Sequence, residues 1–273
     1  MQCIALPDST LLIAALDGRC WVTTLAPCQV SAVPVSTIAA QRATVAASAI
    51  EGAVALGLAP AGEVRAPAPY TLPRYIRWLV GNYLFAGQTP GLFRRGAERF
   101  SAAGRPDLAQ VCLKKAAEEA GHARLAFRDL GALGCDAAEV VRLLEPPSAS
   151  IFADRFRSYV ESGEPVALFG FSYCLERMAA ERDEAFIRRV ESVCPPGSRA
   201  LSFLKVHSAI GSDNTHVYEQ LALFESLDQA DLVAVVRAAY ETAQLLARQQ
   251  SMDEALSDEE INRRLRKGAF RTG

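Results

Sequence analysis

Histidine is nearly missing from this chain. Only three occur in 273 residues: His122, His207 and His216. Cysteine is less scarce, but the seven present are odd in number and none are spaced as Cys-x-x-Cys. That pattern excludes a fully paired disulfide framework and fits a reducing compartment. Long apolar runs are lacking too. The longest small-residue stretch, near 43–59, is rich in alanine and carries Glu51. No segment is therefore expected to cross a bilayer. No basic region precedes the first apolar stretch, so no secretory signal is expected. Acidic and basic residues nearly balance as well. The formal net charge is −2, and the one mild basic cluster, Arg263, Arg264, Arg266, Lys267 and Arg271, reads as a solvated helix end. Nothing forms a nucleic-acid stripe. The expected setting is cytoplasmic, with a small molecule rather than nucleic acid or membrane as partner.

What is present divides at a proline-rich stretch. Residues 9–25 place two apolar runs around Asp17-Gly18, a dipeptide suited to a type I′ hairpin turn. Residues 36–57 are alanine-rich and are expected to form one helix. Pro60, Pro67, Pro69 and Pro73 then mark a linker over 59–73. Residues 1–70 thus read as a small appendage, a hairpin plus a helix, and 71–273 as the main domain. Half the chain is apolar, enough for a sizeable core.

Beyond Pro73 the periodicity is helical throughout. Helices are expected near 74–86, 90–103, 106–133, 137–144, 150–162, 165–190, 197–226, 228–250 and 257–268. Thr89-Pro90 supplies an N-cap and a first-turn proline. Pro146-Pro147 and Pro195-Pro196 forbid continuation. The main domain is expected to be an all-α bundle.

All three histidines lie near acids in helical sequence. Glu119 and His122 are spaced i, i+3, about 60° apart on a helix, so both can reach one ion. Glu119 lies on the face of Cys112, Ala116, Ala123, Ala126 and Leu130, where a lone carboxylate is costly unless paired or metal-bound. Glu118, i, i+4 from His122, is the competing choice on the more polar side, near Lys115. Asp213 and His216 repeat the i, i+3 spacing. Between the two pairs, Glu176 closes the apolar run VALFGFSYCLE. Four-helix carboxylate sites combine acid-x-x-His pairs on two helices with single glutamates from others. Hard carboxylates with neutral imidazole form a donor set suited to iron.

EEAGH at 118–122, LFGFSYCLE at 168–176 and FLKVHSAIGSDNTH at 203–216 resemble, in order and spacing, the haem-oxygenase-like diiron oxidase and oxygenase superfamily, also called iron-containing redox enzymes. The resemblance covers about residues 74–250. It implies a seven-helix bundle, usually dimeric, that binds two Fe(II) ions per chain and oxidises small molecules with O2. By position it assigns Glu119, His122, Glu176, His207, Asp213 and His216 as iron ligands. One departure is clear. Many members carry His-x-x-x-Asp-x-x-His, whereas Asp213 and His216 lie six and nine positions after His207. On an unbroken helix His207 and His216 would point about 180° apart. A π-bulge or kink near Gly211 would bring them together; otherwise only one of them binds metal.

The expected activity is therefore a non-haem diiron oxidase or oxygenase acting on an amino-acid-derived or fatty-acid-like molecule, in a biosynthetic pathway. Arg74, Arg77 and Lys205 hint weakly at an anionic substrate. The same resemblance offers an alternative, a metal-free enzyme of the thiaminase II or pyrroloquinoline-quinone-synthase type, with Cys112 or Cys174 as a candidate nucleophile. Ferritin-like iron storage ranks last, because the chain lacks an acidic surface run.

Overall fold

The computed structural model describes residues 1–16, 18–24, 30–33, 44–59, 70–211, 213–253 and 256–266. It divides into two compact units. The first comprises 1–64, 162–178 and 214–248, and the second 65–161, 179–213 and 249–273. Most of the proline-rich linker, the first part of the alanine-rich stretch and the last basic residues lie outside the described residues.

The first unit begins with a four-stranded antiparallel sheet, β1 (Gln2–Ala5), β2 (Thr10–Ala14), β3 (Cys20–Thr24) and β4 (Val30–Val33), in the order β1-β2-β3-β4. The expected hairpin is β2–β3, with Ala14 opposite Cys20. Its expected type I′ turn includes Asp17, which lies outside the described residues; beside it Ala15 N donates to Arg19 O at 2.9 Å, and Gly18 has φ +78°. The inner face presents Ile4, Leu12, Ala14, Cys20 and Val33, all buried, to helix α1 (Val45–Leu58). A Cβ at Gly52 would come within 2.6 Å of Cys20 Sγ, so only glycine lets α1 lie this close to the sheet. The unit also holds most of α8 (Ala167–Ala179), α11 (Asp213–Glu225) and α12 (Gln229–Asp253). Gly170 of α8 meets the backbone of α12: a Cβ there would lie 2.0 Å from Val235 O. Arg237 of α12 donates to Ala5 O at 2.7 Å, and the Tyr240 hydroxyl bonds Asp8 Oδ2 at 2.5 Å. The sheet is thus tied to a bundle helix by polar as well as apolar contacts.

The second unit is helical: α2 (Leu72–Ala86), α3 (Thr89–Ala102), α4 (Pro106–Glu118), α5 (His122–Ala132), α6 (Ala137–Leu144), α7 (Pro147–Glu161), α9 (Glu184–Val193), α10 (Ser202–Val206) and α13 (Asp258–Leu265). The starts follow local chemistry. Thr71, Asp136, Asp183 and Ser257 each accept a hydrogen bond from a first-turn N–H. The core gathers Tyr75, Ile76, Leu79, Val80, Ala126, Leu130, Val140, Leu144, Val190, Phe203 and Leu204. Tyr75 stacks on Trp78 with ring centroids 5.8 Å apart, and its hydroxyl donates to Ala200 O at 2.6 Å.

Three long helices expected from the sequence are broken. The segment 106–133 divides at 119–121, where Gly121 has φ +101°. The segment 165–190 divides at 180–183, and 197–226 divides between α10 and α11. Apolar periodicity runs across all three breaks, and no proline marks them. Among the described residues, no helix is long and apolar enough to cross a membrane.

Candidate metal centre

The break before α5 shapes the first ligand set. Glu119 caps the end of α4, Gly121 turns the chain in the left-handed region, and His122 starts α5. The i, i+3 relation therefore acts across a turn rather than along one helix. His122 Nδ1 lies 2.9 Å from Glu119 Oε2, and the two side chains are only 14% and 13% exposed. Burial pushes the Glu119 carboxyl up. The hydrogen bond to His122 and the charges of His207, His122 and Lys115 outweigh it, so the carboxyl is held below its usual range. Glu119 is the ionised, acceptor-only partner that a metal ion requires.

His207 closes the set. It caps the C-terminus of α10, and its ring meets that of His122 edge to face with centroids 4.6 Å apart. Donor atoms of Glu119, His122 and His207 all lie within 4.8 Å of one another. Several contacts fix His207 there. Asp129 of α5 accepts the Phe203 N–H at 2.8 Å, pinning α10 to the helix that carries His122. Phe203 packs on the His207 ring at 4.5 Å. Arg182 donates to His207 O at 3.2 Å and stacks over Trp78 at 5.3 Å. The chain then folds back on α10. A Cβ at Gly211 would lie 2.1 Å from Val206 O, so this turn needs glycine. In place of a π-bulge or kink near Gly211 the helix breaks, with His207 capping α10 and His216 on α11.

The remaining predicted ligands belong to the first unit, apart from Asp213, the last residue of the second unit's middle segment. Glu176 of α8 and His216 of α11 are both buried, with His216 Nδ1 3.9 Å from Glu176 Oε2, beyond hydrogen-bond length. Glu176 is instead bonded by Ser172 and Gln220, at 3.0 and 2.7 Å. Asp213 opens α11, and its side chain lies outside the described residues.

Several side chains have roles that the sequence does not announce. Glu118, the competing carboxylate, is occupied by Lys114 and Lys115 at 3.7 and 3.8 Å. Lys115 is buried rather than on a polar side. Glu51, in the alanine-rich helix, is 3% exposed, accepts a short hydrogen bond from Tyr173, and pairs with Arg177 at 3.2 Å. The suggested anion clamp dissolves. Arg74 pairs with Asp258 at 3.0 Å, Arg77 donates a short bond to Asp253 O, and Lys205 is exposed. The candidate nucleophiles are poorly disposed. Cys112 and Cys174 are fully buried, and burial pushes Cys112 up to about 12 and Cys174 higher still.

No known family profile matches the sequence, and no curated protein matches it. Solved structures do. A domain of unknown function with a heme oxygenase-like fold from Shewanella denitrificans aligns with a TM-score of 0.58 at 19% identity, over 76% of this chain and 88% of that one. A TenA homolog from Pseudomonas syringae pv. tomato aligns with a TM-score of 0.53 at 13% identity, over 80% and 93%. At such identities the likeness concerns the fold. This chain is a mostly helical protein with a heme oxygenase-like fold, preceded by a small antiparallel sheet.

Proposed function

We propose that the protein is a non-haem iron enzyme that uses O2 to oxidise a small molecule. Glu119, His122 and His207 would hold one Fe(II). Glu176 and His216 would supply donors for a second, giving two ions per chain. The observation that carries this reading is the convergence of one partly buried carboxylate and two partly buried imidazoles within 4.8 Å. The donor set fits the ion. Two histidines and a carboxylate suit ferrous iron and leave coordination positions open. Binding a divalent ion would displace the proton of the Glu119–His122 hydrogen bond. Iron, when bound, supplies the electron-transfer chemistry that lets O2 react.

The protein supplies orientation. Asp129 and Phe203 set the His207 ring, Gly121 turns His122 toward Glu119, and the lysines draw Glu118 aside. The dimeric state and cytoplasmic setting implied by the resemblance belong to the proposal, and sizing the native protein in solution checks the first. The alternative, a metal-free enzyme on the same fold, draws on the TenA homolog among the structural neighbours. Its cysteine-nucleophile form is opposed by the buried, strongly protonated thiols. Rapid mixing of Fe(II)-loaded protein with O2 separates the two readings. A transient visible absorption that disappears in Glu119→Ala is expected; no spectral change in the wild type contradicts iron-dependent chemistry.

A further inference from the structure

Within the first unit, Glu176 is gripped from two sides. Ser172, one turn earlier on α8, donates its hydroxyl to Oε1 at 3.0 Å, and Gln220 of α11 donates Nε2–H to Oε2 at 2.7 Å. Gln220 is only 2% exposed. Its other polar atom, Oε1, is buried and has no hydrogen-bond partner among the described residues. Buried amide oxygens are rarely left unmet, and a methionine of the same length would avoid the cost. Turning the amide over offers no relief. It would set the oxygen against the Glu176 carboxylate and bury the amide N–H groups instead. The orientation is therefore dictated by Glu176, and the unmet acceptor follows from it. His216 lies one turn before Gln220, so both side chains rise from the same face of α11 toward Glu176.

We propose that Gln220 is a positioning residue: its amide aligns the Glu176 carboxylate for a metal ion, and its Oε1 accepts a hydrogen bond from a donor carried by the group that fills the site. This rests on the reading of Glu176 as an iron ligand. Ser172 bonds one carboxylate oxygen and Gln220 the other, so the two together set the orientation of the carboxylate. Outer partners of this kind fix the ligand's orientation, and losing one costs about 10–100-fold in metal affinity.

The test is metal affinity of the full chain, measured anaerobically with Fe(II) and with Co(II) by competition against a chromophoric chelator. The Co(II) visible spectrum and a thermal melt accompany it. Gln220→Met, matched in length without the amide, is expected to fold and to bind the weaker ion about 10–100-fold less tightly, with an altered Co(II) spectrum. Ser172→Ala is expected to show a smaller loss. If the wild type binds both metals and Gln220→Met matches it in affinity and spectrum, the positioning role is overturned while the iron reading stands. If the wild type binds neither metal, the iron reading fails first and this role with it. Should Gln220→Met not fold, Gln220→Asn decides. It keeps a core amide but is one methylene too short to reach Glu176, so the same loss is expected, and wild-type affinity overturns the proposal.

Discussion

Gly170 controls how closely α8, the helix that bears Glu176, approaches α12. In Gly170→Ala the new Cβ would lie 2.0 Å from Val235 O, 2.8 Å from Val235 C and 3.1 Å from Ala239 N. All three are backbone atoms, so no side chain can rotate away. Ordinary C···O contact needs about 3.3 Å, so the helices must separate by about 1.3 Å. Overpacking of this severity costs about 3 kcal/mol, at the upper end of its range. Alanine recovers about 1 kcal/mol over glycine through helix propensity. The net loss is about 2 kcal/mol, a fall of about 4–8 °C in melting temperature for a domain of this size. The shift also moves Glu176, six residues along α8, by more than a metal site tolerates. Thermal melts and Fe(II) titration read both effects. A variant as stable as the wild type, or more so, would refute the close-approach argument, because propensity alone would then have decided the outcome.

Other perturbations reach different parts of the account. Glu51→Ala leaves Arg177 and the Tyr173 hydroxyl without their buried carboxylate, and should cost about 3–5 kcal/mol in urea denaturation; a loss under 1 kcal/mol would show the pair to be dispensable. Burial pushes the Asp129 carboxyl up, against the hydrogen bonds from Phe203 and Ser202 that lower it. The folded state then holds its proton more tightly than the unfolded one, so this group costs stability as pH rises from its unfolded value through its folded one. Asp129→Asn should therefore gain stability relative to wild type across that acidic window and hold a constant difference above it; a difference independent of pH argues against the raised carboxyl. Cys135 is pushed up to about 11 and Cys112 to about 12 by burial. At pH 8 both should resist a thiol reagent until urea unfolds the chain, whereas exposed Cys3 reacts at once. Rapid labelling of Cys112 in the native protein would revive the nucleophile.

The helical register was readable wherever capping chemistry announced it. Thr71 and Asp136 cap their helices, whereas Thr89, expected as an N-cap, is the first residue of α3: Gln88 precedes it without a side-chain cap bond, and the Thr89 hydroxyl donates to Ala86 O. The breaks at Glu119–Gly121 and after Val206 were hidden, because the apolar pattern continues across them and glycine alone is an ambiguous signal. The outer strands β1 and β4 are four residues each, too short to show alternation. At the site, the acid-x-x-His spacing made Glu119 and His122 legible, while the approach of His207 depends on the break before α11. Ser172 and Gln220 were missed because a hydroxyl and an amide on amphipathic helices read as ordinary polar positions. Their spacing was nonetheless visible: Ser172 lies four before Glu176, and Gln220 four after His216. In the sequence Glu51 is only a charge interrupting alanines, since nothing local predicts that Arg177 and Tyr173 meet it.

The central claim is that these few histidines serve iron. Anaerobic equilibrium dialysis against Fe(II), with bound iron counted per chain in wild type, His122→Ala and His207→Ala, tests it most directly. The account predicts about two ions per chain in the wild type, as di-iron carboxylate bundles take, and loss of at least one in either variant with the fold retained. Wild-type protein that emerges from dialysis without iron, or variants that keep the full complement, would contradict it.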